Sequence, residues 1–222
     1  MIVAFSGAKF AGKDSAAEGL LRTCGFKRIG LADRLKTICS IVFEIDRSDM
    51  DNPLKKEKAF DLPVKLTENN LSTLFKILTE DGFNVTESNI HEINSKFRNK
   101  NLSTIRDVLQ IVGTDICRNF IKDDIWLSYV KKNIEQDYGN IVITDARFQN
   151  ERDFLRQLGA VLVLVKRPGF EPKDTHISEN QLGNESDYDV VVNNVGTITA
   201  LQSETCMWYT VMKDAIASNR KR

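Results

Sequence analysis

A short apolar run that breaks into glycines and restarts as a helix limits the fold of this chain more than any other feature. Ile2-Val3-Ala4-Phe5-Ser6 is apolar at successive positions, the pattern of a strand covered on both faces. It runs into Gly7-Ala8-Lys9-Phe10-Ala11-Gly12-Lys13-Asp14-Ser15. Residues 13–23 then read as a helix with Ala16, Ala17, Leu20 and Leu21 on one side and Gly25 as its stop. The pattern G-x-x-x-x-G-K thus stands where it has physical meaning. Glycines permit a tight turn whose backbone N–H groups point at phosphate oxygens, and the following helix adds its positive end. Lys13 would reach the terminal phosphates. The hydroxyl residue that usually follows the lysine is Asp14 here, and a hydroxyl comes one later at Ser15. A glycine-containing turn of another α/β fold is the competing explanation.

The rest of the chain alternates strands and helices. Residues 27–31 read as a second strand, and Leu35, Ile38, Cys39, Val42 and Phe43 recur at helical spacing with Asp33 as the expected N-cap. Between about 46 and 100 polar residues dominate and Asn is frequent, with one helix suggested by Leu71, Leu74, Phe75 and Leu78. That stretch reads as an insertion rather than a core element. Periodicity returns at Ile105, Val108, Leu109 and Val112, in a helix expected to end at Gly113, and again over 124–135. Ile141–Asp145 is an apolar strand ending on an acid; a helix follows over about 148–158. Val161–Val165 and Asp189–Asn193 are two further strands, and 198–217 is a closing helix. Strands alternating with helices imply a parallel sheet covered on both faces, an α/β three-layer sandwich of about five strands.

Composition excludes several classes. Lys and Arg total 31, Asp and Glu 31, so the formal net charge is zero, which argues against a nucleic-acid coat or a polybasic membrane binder. No apolar run approaches the ~18 residues of a membrane helix, and the first residues show no basic leader of a signal peptide. Cys24, Cys39, Cys117 and Cys206 form no close sequence pair, which points to free thiols in a reducing compartment. His91-Glu92-Ile93-Asn94-Ser95 lacks the second His of a zinc-protease motif. At roughly 150 residues per domain, a length of 222 residues allows one domain or two.

Asp145, at the carboxyl end of an apolar strand, fits an acid that holds Mg2+ directly or through water. It equally fits an Asp that starts the next helix. Five ordered segments then carry a family resemblance. They are Gly7–Ser15, Gln110-Ile111-Val112-Gly113-Thr114-Asp115, Asp145-Ala146-Arg147-Phe148-Gln149-Asn150-Glu151, Val165-Lys166-Arg167-Pro168-Gly169 and Thr175-His176-Ile177-Ser178-Glu179. In order and rough spacing this set resembles the phage deoxynucleoside monophosphate kinases, over about residues 1–45 and 101–222.

The resemblance implies a P-loop kinase fold, cytoplasmic and dimeric, that passes the ATP γ-phosphoryl group to a dNMP such as dGMP, dTMP or a dCMP derivative. It implies a single domain, with 46–100 as a nucleotide-binding or lid insertion, and no nucleic-acid or membrane partner. ATP would lie on Gly7, Ala11, Gly12, Lys13, Asp14, Ser15 and Arg167, with Mg2+ at Ser15 and Asp145. The acceptor would be surrounded by Lys9, Arg106, Gln110, Gly113, Thr114 and Trp126, with Asp145, Arg147 and Glu151 lining the same cleft. Lys13, Asp145 and Arg147 would carry the chemistry. The residue types suit it, because phosphoryl transfer needs positioning and charge neutralisation more than covalent chemistry. Bland alternatives stand beside several assignments: a core position for Trp126, a solvated helix charge for Arg106, a pairing of Glu151 with Arg147 one turn away, and a structural or surface role for His176. Two other functions compete. Animal phosphomevalonate kinases resemble the loop too, and a non-catalytic nucleotide-binding module would keep the loop without acceptor-side cations.

Overall fold

The computed structural model describes residues 1–8, 10–136, 139–169 and 182–219. Lys9 and the Thr175–Glu179 segment with His176 lie outside the described residues. The chain divides into two compact units, Met1–Leu31 with Val130–Arg222, and Ala32–Tyr129.

The first unit is a five-stranded parallel sheet. In chain order its strands are β1 (Ile2–Ser6), β2 (Phe26–Arg28), β5 (Asn140–Ile143), β6 (Val161–Lys166) and β7 (Val190–Asn193). Their order across the sheet is β2-β5-β1-β6-β7. The five expected strands are these five, each within a few residues of its expected bounds. Val3, Ala4 and Phe5 have no exposure, and Val161 to Val165 are buried throughout, as unbroken apolar runs require when helices cover both faces. Helix α1 (Lys13–Thr23) packs Ala16, Ala17 and Leu20 into a core that includes Leu201 and Tyr209 of the last helix, α9 (Ile198–Asn219). The two helices approach so closely that a Cβ on Gly19 would lie 2.8 Å from the carbonyl of Gln202. Tyr209 meets Phe26 edge-on at 5.0 Å between ring centroids. Helix α8 (Gln149–Gln157) links β5 to β6.

The second unit is mostly helical. Helices α2 (Asp33–Phe43), α3 (Pro53–Glu57), α4 (Glu68–Glu80), α5 (Glu87–Phe97) and α6 (Ile105–Gln110) surround an antiparallel pair, β3 (Ala59–Lys65) and β4 (Asn101–Thr104). Helix α7 (Ile125–Gln136) begins here, and its residues Ile125 and Trp126 join the core.

Three expectations are corrected. The polar stretch 46–100 is not peripheral: Leu66, Leu71, Leu74, Leu78 and Ile93 have no exposure and form the centre of this unit's core. Three of its Asn residues, Asn52, Asn70 and Asn89, serve helix starts, Asn52 as the N-cap of α3. Asn70 and Asn89 close capping boxes with Thr67 and Thr86, and their amide nitrogens donate to the carbonyls of Val42 at 2.6 Å and Phe120 at 2.7 Å. The compact unit therefore extends to both sides of 46–100, because α2 and the helices after 105 share its core. Asp33 is not an N-cap; Ala32 holds that position with no side-chain bond, and Asp33 pairs with Arg47 at 3.2 Å. Gly113 does not end a helix. After α6 the chain widens into a π-helix, Ile111–Ile121, that passes straight through it. No helix among the described residues is long and apolar enough to cross a membrane.

Candidate active site

Strands β1 and β5 are neighbours, with Ala4 opposite Ile143, so the loops after Ser6 and after Ile143 leave the same edge of the sheet. From β1 the chain crosses toward β2 on one side; from β5 it crosses toward β6 on the other. Right-handed crossovers in opposite directions put α1 and α8 on opposite faces. The crevice between such diverging loops is where open α/β sheets bind ligands.

Backbone and side-chain bonds tie the two loops together. The Ser6 hydroxyl, 1% exposed, donates to the carbonyl of Ala146, and the Ala146 N–H donates to the carbonyl of Phe5 at 3.2 Å. Asp145 Oδ1 accepts from the Leu31 N–H at 3.0 Å, which joins the end of β5 to the segment after β2. Gly7 presses on β6: an added Cβ would lie 2.5 Å from the carbonyl of Val165.

The loop closes at Gly12, whose φ of 101° belongs to the left-handed region and whose Cβ would lie 2.5 Å from Asn194 Nδ2. That amide donates to the carbonyl of Ala11 at 2.9 Å, while the Asn194 N–H donates to the carbonyl of Lys166 at 2.7 Å. Asn194 therefore clamps the glycine loop to the end of β6. It was not singled out in the sequence. The signal available was its place just after an apolar strand.

Gly12 caps α1 without offering a side-chain acceptor, so the helix start suits an external anion. Lys13 is its first residue and only 7% exposed. That is the position from which the lysine of such a loop reaches phosphate. Asp14 is exposed and Ser15 half-buried.

On the other loop, Arg147 is half-buried and its backbone is gripped from both sides. Its N–H donates to Glu151 Oε2 at 2.8 Å, and its carbonyl accepts from Arg152 Nη1 at 2.9 Å. The same Glu151 oxygen accepts from the Phe148 N–H at 2.9 Å. Glu151, 6% exposed, is thus the cap of α8, holding Arg147 through its backbone. Arg152 is 1% exposed and lies over the Tyr188 ring at 5.6 Å. Arg167 is exposed just beyond β6.

Asp145 and the Ser15 hydroxyl are hard oxygen donors of the kind Mg2+ takes, and that ion needs only one or two protein ligands beside phosphates and water. The donor set fits the metal.

The remaining assigned residues belong to the second unit. Arg106 pairs with Glu57, at 2.7 Å from Nε and 2.6 Å from Nη2. Gln110 and Thr114 are half-buried. Gly113 packs on Leu35, where a Cβ would lie 2.5 Å from a methyl carbon. Trp126 is 6% exposed, and its indole N–H donates to the Gly113 carbonyl at 3.0 Å. Its ring stacks on Tyr129 at 6.1 Å, a core position rather than an open aromatic wall. A polar group missed in the sequence lies beside it. Arg34 grips both oxygens of Asp81, at 2.7 and 2.6 Å from Nη2, and the Tyr129 hydroxyl donates to Asp81 at 2.5 Å. Burial, then the bond to Asp81, pushes the Tyr129 hydroxyl well above its ordinary pKa; the same carboxylate raises Arg34.

Comparison with known proteins extends this picture. The family model for deoxynucleotide monophosphate kinase matches residues 45–205, a span that starts after the glycine loop. A protein of Acanthamoeba polyphaga mimivirus is 28% identical over 92% of this chain and 93% of its own length. The deoxynucleotide monophosphate kinase of Enterobacteria phage T4 is 25% identical over 91% of this chain and 96% of its own. That of Escherichia phage RB69 is 33% identical over 46% of this chain and 43% of its own. The chain belongs to the deoxynucleotide monophosphate kinase family.

Proposed function

We propose that this protein transfers the γ-phosphoryl group of ATP to a deoxynucleoside monophosphate, giving the diphosphate and ADP. The observation that carries the reading is the glycine loop and buried Lys13 at the sheet edge shared with Asp145 and Arg147, in a chain of this family. The loop N–H groups and the start of α1 hold the ATP phosphates, and Lys13 neutralises the transferring group. Mg2+, when bound at Asp145 and Ser15, supplies charge neutralisation between the phosphates. Arg147 stabilises charge on the phosphoryl oxygens in the transition state, and Arg167 lies along the ATP side.

In the second unit, Arg106 binds the acceptor phosphate, and Gln110 and Thr114 hydrogen-bond the acceptor. Residues 46–100 supply part of that acceptor-binding unit. Lys9 adds a cation to the loop. The product serves DNA-precursor supply.

The test is ADP release with dGMP, dTMP, dCMP and phosphomevalonate as acceptors. Turnover with at least one dNMP, lost in Lys13→Ala with the fold intact, supports the reading. No release with any dNMP overturns it, and release with phosphomevalonate alone replaces it.

A further inference from the structure

Helices α1 and α9 touch where Gly19 faces Gln202, and one turn further along both helices come Thr23 and Cys206. The Thr23 hydroxyl oxygen lies 3.0 Å from Cys206 Sγ. The same oxygen lies 3.5 Å from Sγ of Cys24, the residue that caps the end of α1. Thr23 donates its own proton to the Gly19 carbonyl at 2.7 Å, so its oxygen faces the two thiols as an acceptor. Cys24 is also a hydrogen-bond partner of Cys206. Two thiols from opposite ends of the chain thus meet around one hydroxyl.

Access sets this pair apart from the other two cysteines. Cys24 and Cys206 are half-buried, and both belong to the first unit. Cys39 and Cys117 have no exposure in the core of the second unit, where burial pushes both thiols far above their ordinary pKa. The end of α1 also has room to adjust, since a Cβ on Gly25, next to Cys24, would meet nothing within 4 Å. The phosphate loop and the acceptor residues use neither Cys24 nor Cys206.

We propose that Cys24 and Cys206 are a redox modification site, which a small disulfide such as oxidised glutathione converts to a reversible bond stapling α1 to α9. The thiolate of one cysteine attacks a glutathione sulfur, forms a mixed disulfide and expels one glutathione thiolate. The thiolate of the other attacks the protein sulfur of that mixed disulfide and expels the second glutathione. Two electrons and two protons pass from the protein thiols to oxidised glutathione, which leaves as two reduced molecules. Burial raises the Cys206 thiol above its ordinary pKa, more than Thr23 lowers it, so the thiolate is scarce at neutral pH and the exchange is slow. A reducing compartment keeps such a pair open, and an oxidising shift closes it. The bond joins residues near the two ends of the chain, so it restricts the unfolded chain strongly. The site stands whether or not the kinase reading does.

The test incubates the full chain with oxidised glutathione and analyses it by mass spectrometry without reduction. The expected product is a chain lighter by two hydrogens, with the peptides of Cys24 and Cys206 cross-linked, and dithiothreitol restores both thiols. Its melting temperature should exceed that of the reduced chain by at least about 4 °C. Cys206→Ser should stop at a glutathione adduct on Cys24 and show no such rise. Unmodified thiols, separate glutathione adducts on both cysteines, a bond to Cys39 or Cys117, or a bond between two chains as the main product overturns the assignment. A Cys24–Cys206 bond that leaves the melting temperature unchanged overturns the staple.

Discussion

The indole nitrogen of Trp126 lies 3.0 Å from the carbonyl oxygen of Gly113, thirteen residues earlier in the chain, and donates a hydrogen bond to it in the core of the second unit. A residue that the family resemblance places around the acceptor is a strut for the π-helix. Trp126→Phe keeps an aromatic ring and removes the donor. Losing that bond and part of the packing is expected to cost about 1–3 kcal/mol, read as a lower urea midpoint. The KM for the dNMP should rise more than the KM for ATP, because the damage falls on the π-helix. A core role alone would lower stability and leave the two KM values in their original ratio.

How much of this was legible from residues alone depended on where the partner lies. The sheet was readable because β1, β5 and β6 are apolar at successive positions, a local signal, and the loop because glycine spacing is local too. Asn194 was not, since its meaning comes from Ala11, 183 residues away, across the β6 end. Glu151 was placed in the cleft by resemblance, while the contacts made by its carboxylate lie on the N–H groups of residues 147 and 148. The π-helix was invisible because hydrophobic spacing over 105–112 fits an α-helix, and the contacts that Gly113 makes with Leu35 and the Trp126 indole come from elsewhere in the chain. The polar 46–100 segment misled for a similar reason: Asn52, Asn70 and Asn89 serve helix starts, and the apolar faces of α4 and α5 meet a core built from distant residues.

Asn194 makes a direct prediction. Asn194→Ala removes the donor to the Ala11 carbonyl and opens space beside Gly12. The expected result is a stability loss of about 1 kcal/mol and a several-fold higher KM for ATP with the dNMP KM unchanged. Steady-state kinetics with each substrate varied in turn reads this, and an unchanged ATP KM would show that the loop keeps its shape without the clamp. Gly12→Ala should be harsher, since it combines a left-handed φ with a Cβ 2.5 Å from Asn194.

Arg147 and Glu151 should separate chemistry from architecture. Arg147→Ala is expected to lower kcat by about 100-fold or more through lost charge stabilisation, with a melting temperature near wild type. Glu151→Ala leaves two N–H groups at the start of α8 without their acceptor and should cost about 1–2 kcal/mol. Its kcat should fall as well, because the backbone of Arg147 is no longer held. Glu151→Gln, whose amide oxygen still accepts, should recover part of both. Equal stability of Glu151→Ala and wild type would remove the capping role.

Acid sensitivity of the second unit should trace in part to Asp51. Partial burial pushes its carboxyl up, but Lys36 at 2.8 Å, and then Arg47, outweigh that and leave it below its ordinary value. A carboxyl whose folded pKa is depressed contributes stability that is present above its unfolded pKa of roughly 4 and is lost as pH falls through the folded value. Urea midpoints of the wild type should therefore decline below about pH 4. In Asp51→Asn this part of the decline should be absent. At pH 7 the variant should be weaker by about 1–2 kcal/mol, because the Lys36 ammonium, with its side chain 9% exposed, keeps its burial and loses its carboxylate. The two effects have opposite signs in the difference between the proteins, so their stabilities should converge as the pH is lowered. Parallel curves from pH 7 to pH 3 would show that the Lys36–Asp51 pair adds nothing to the folded state.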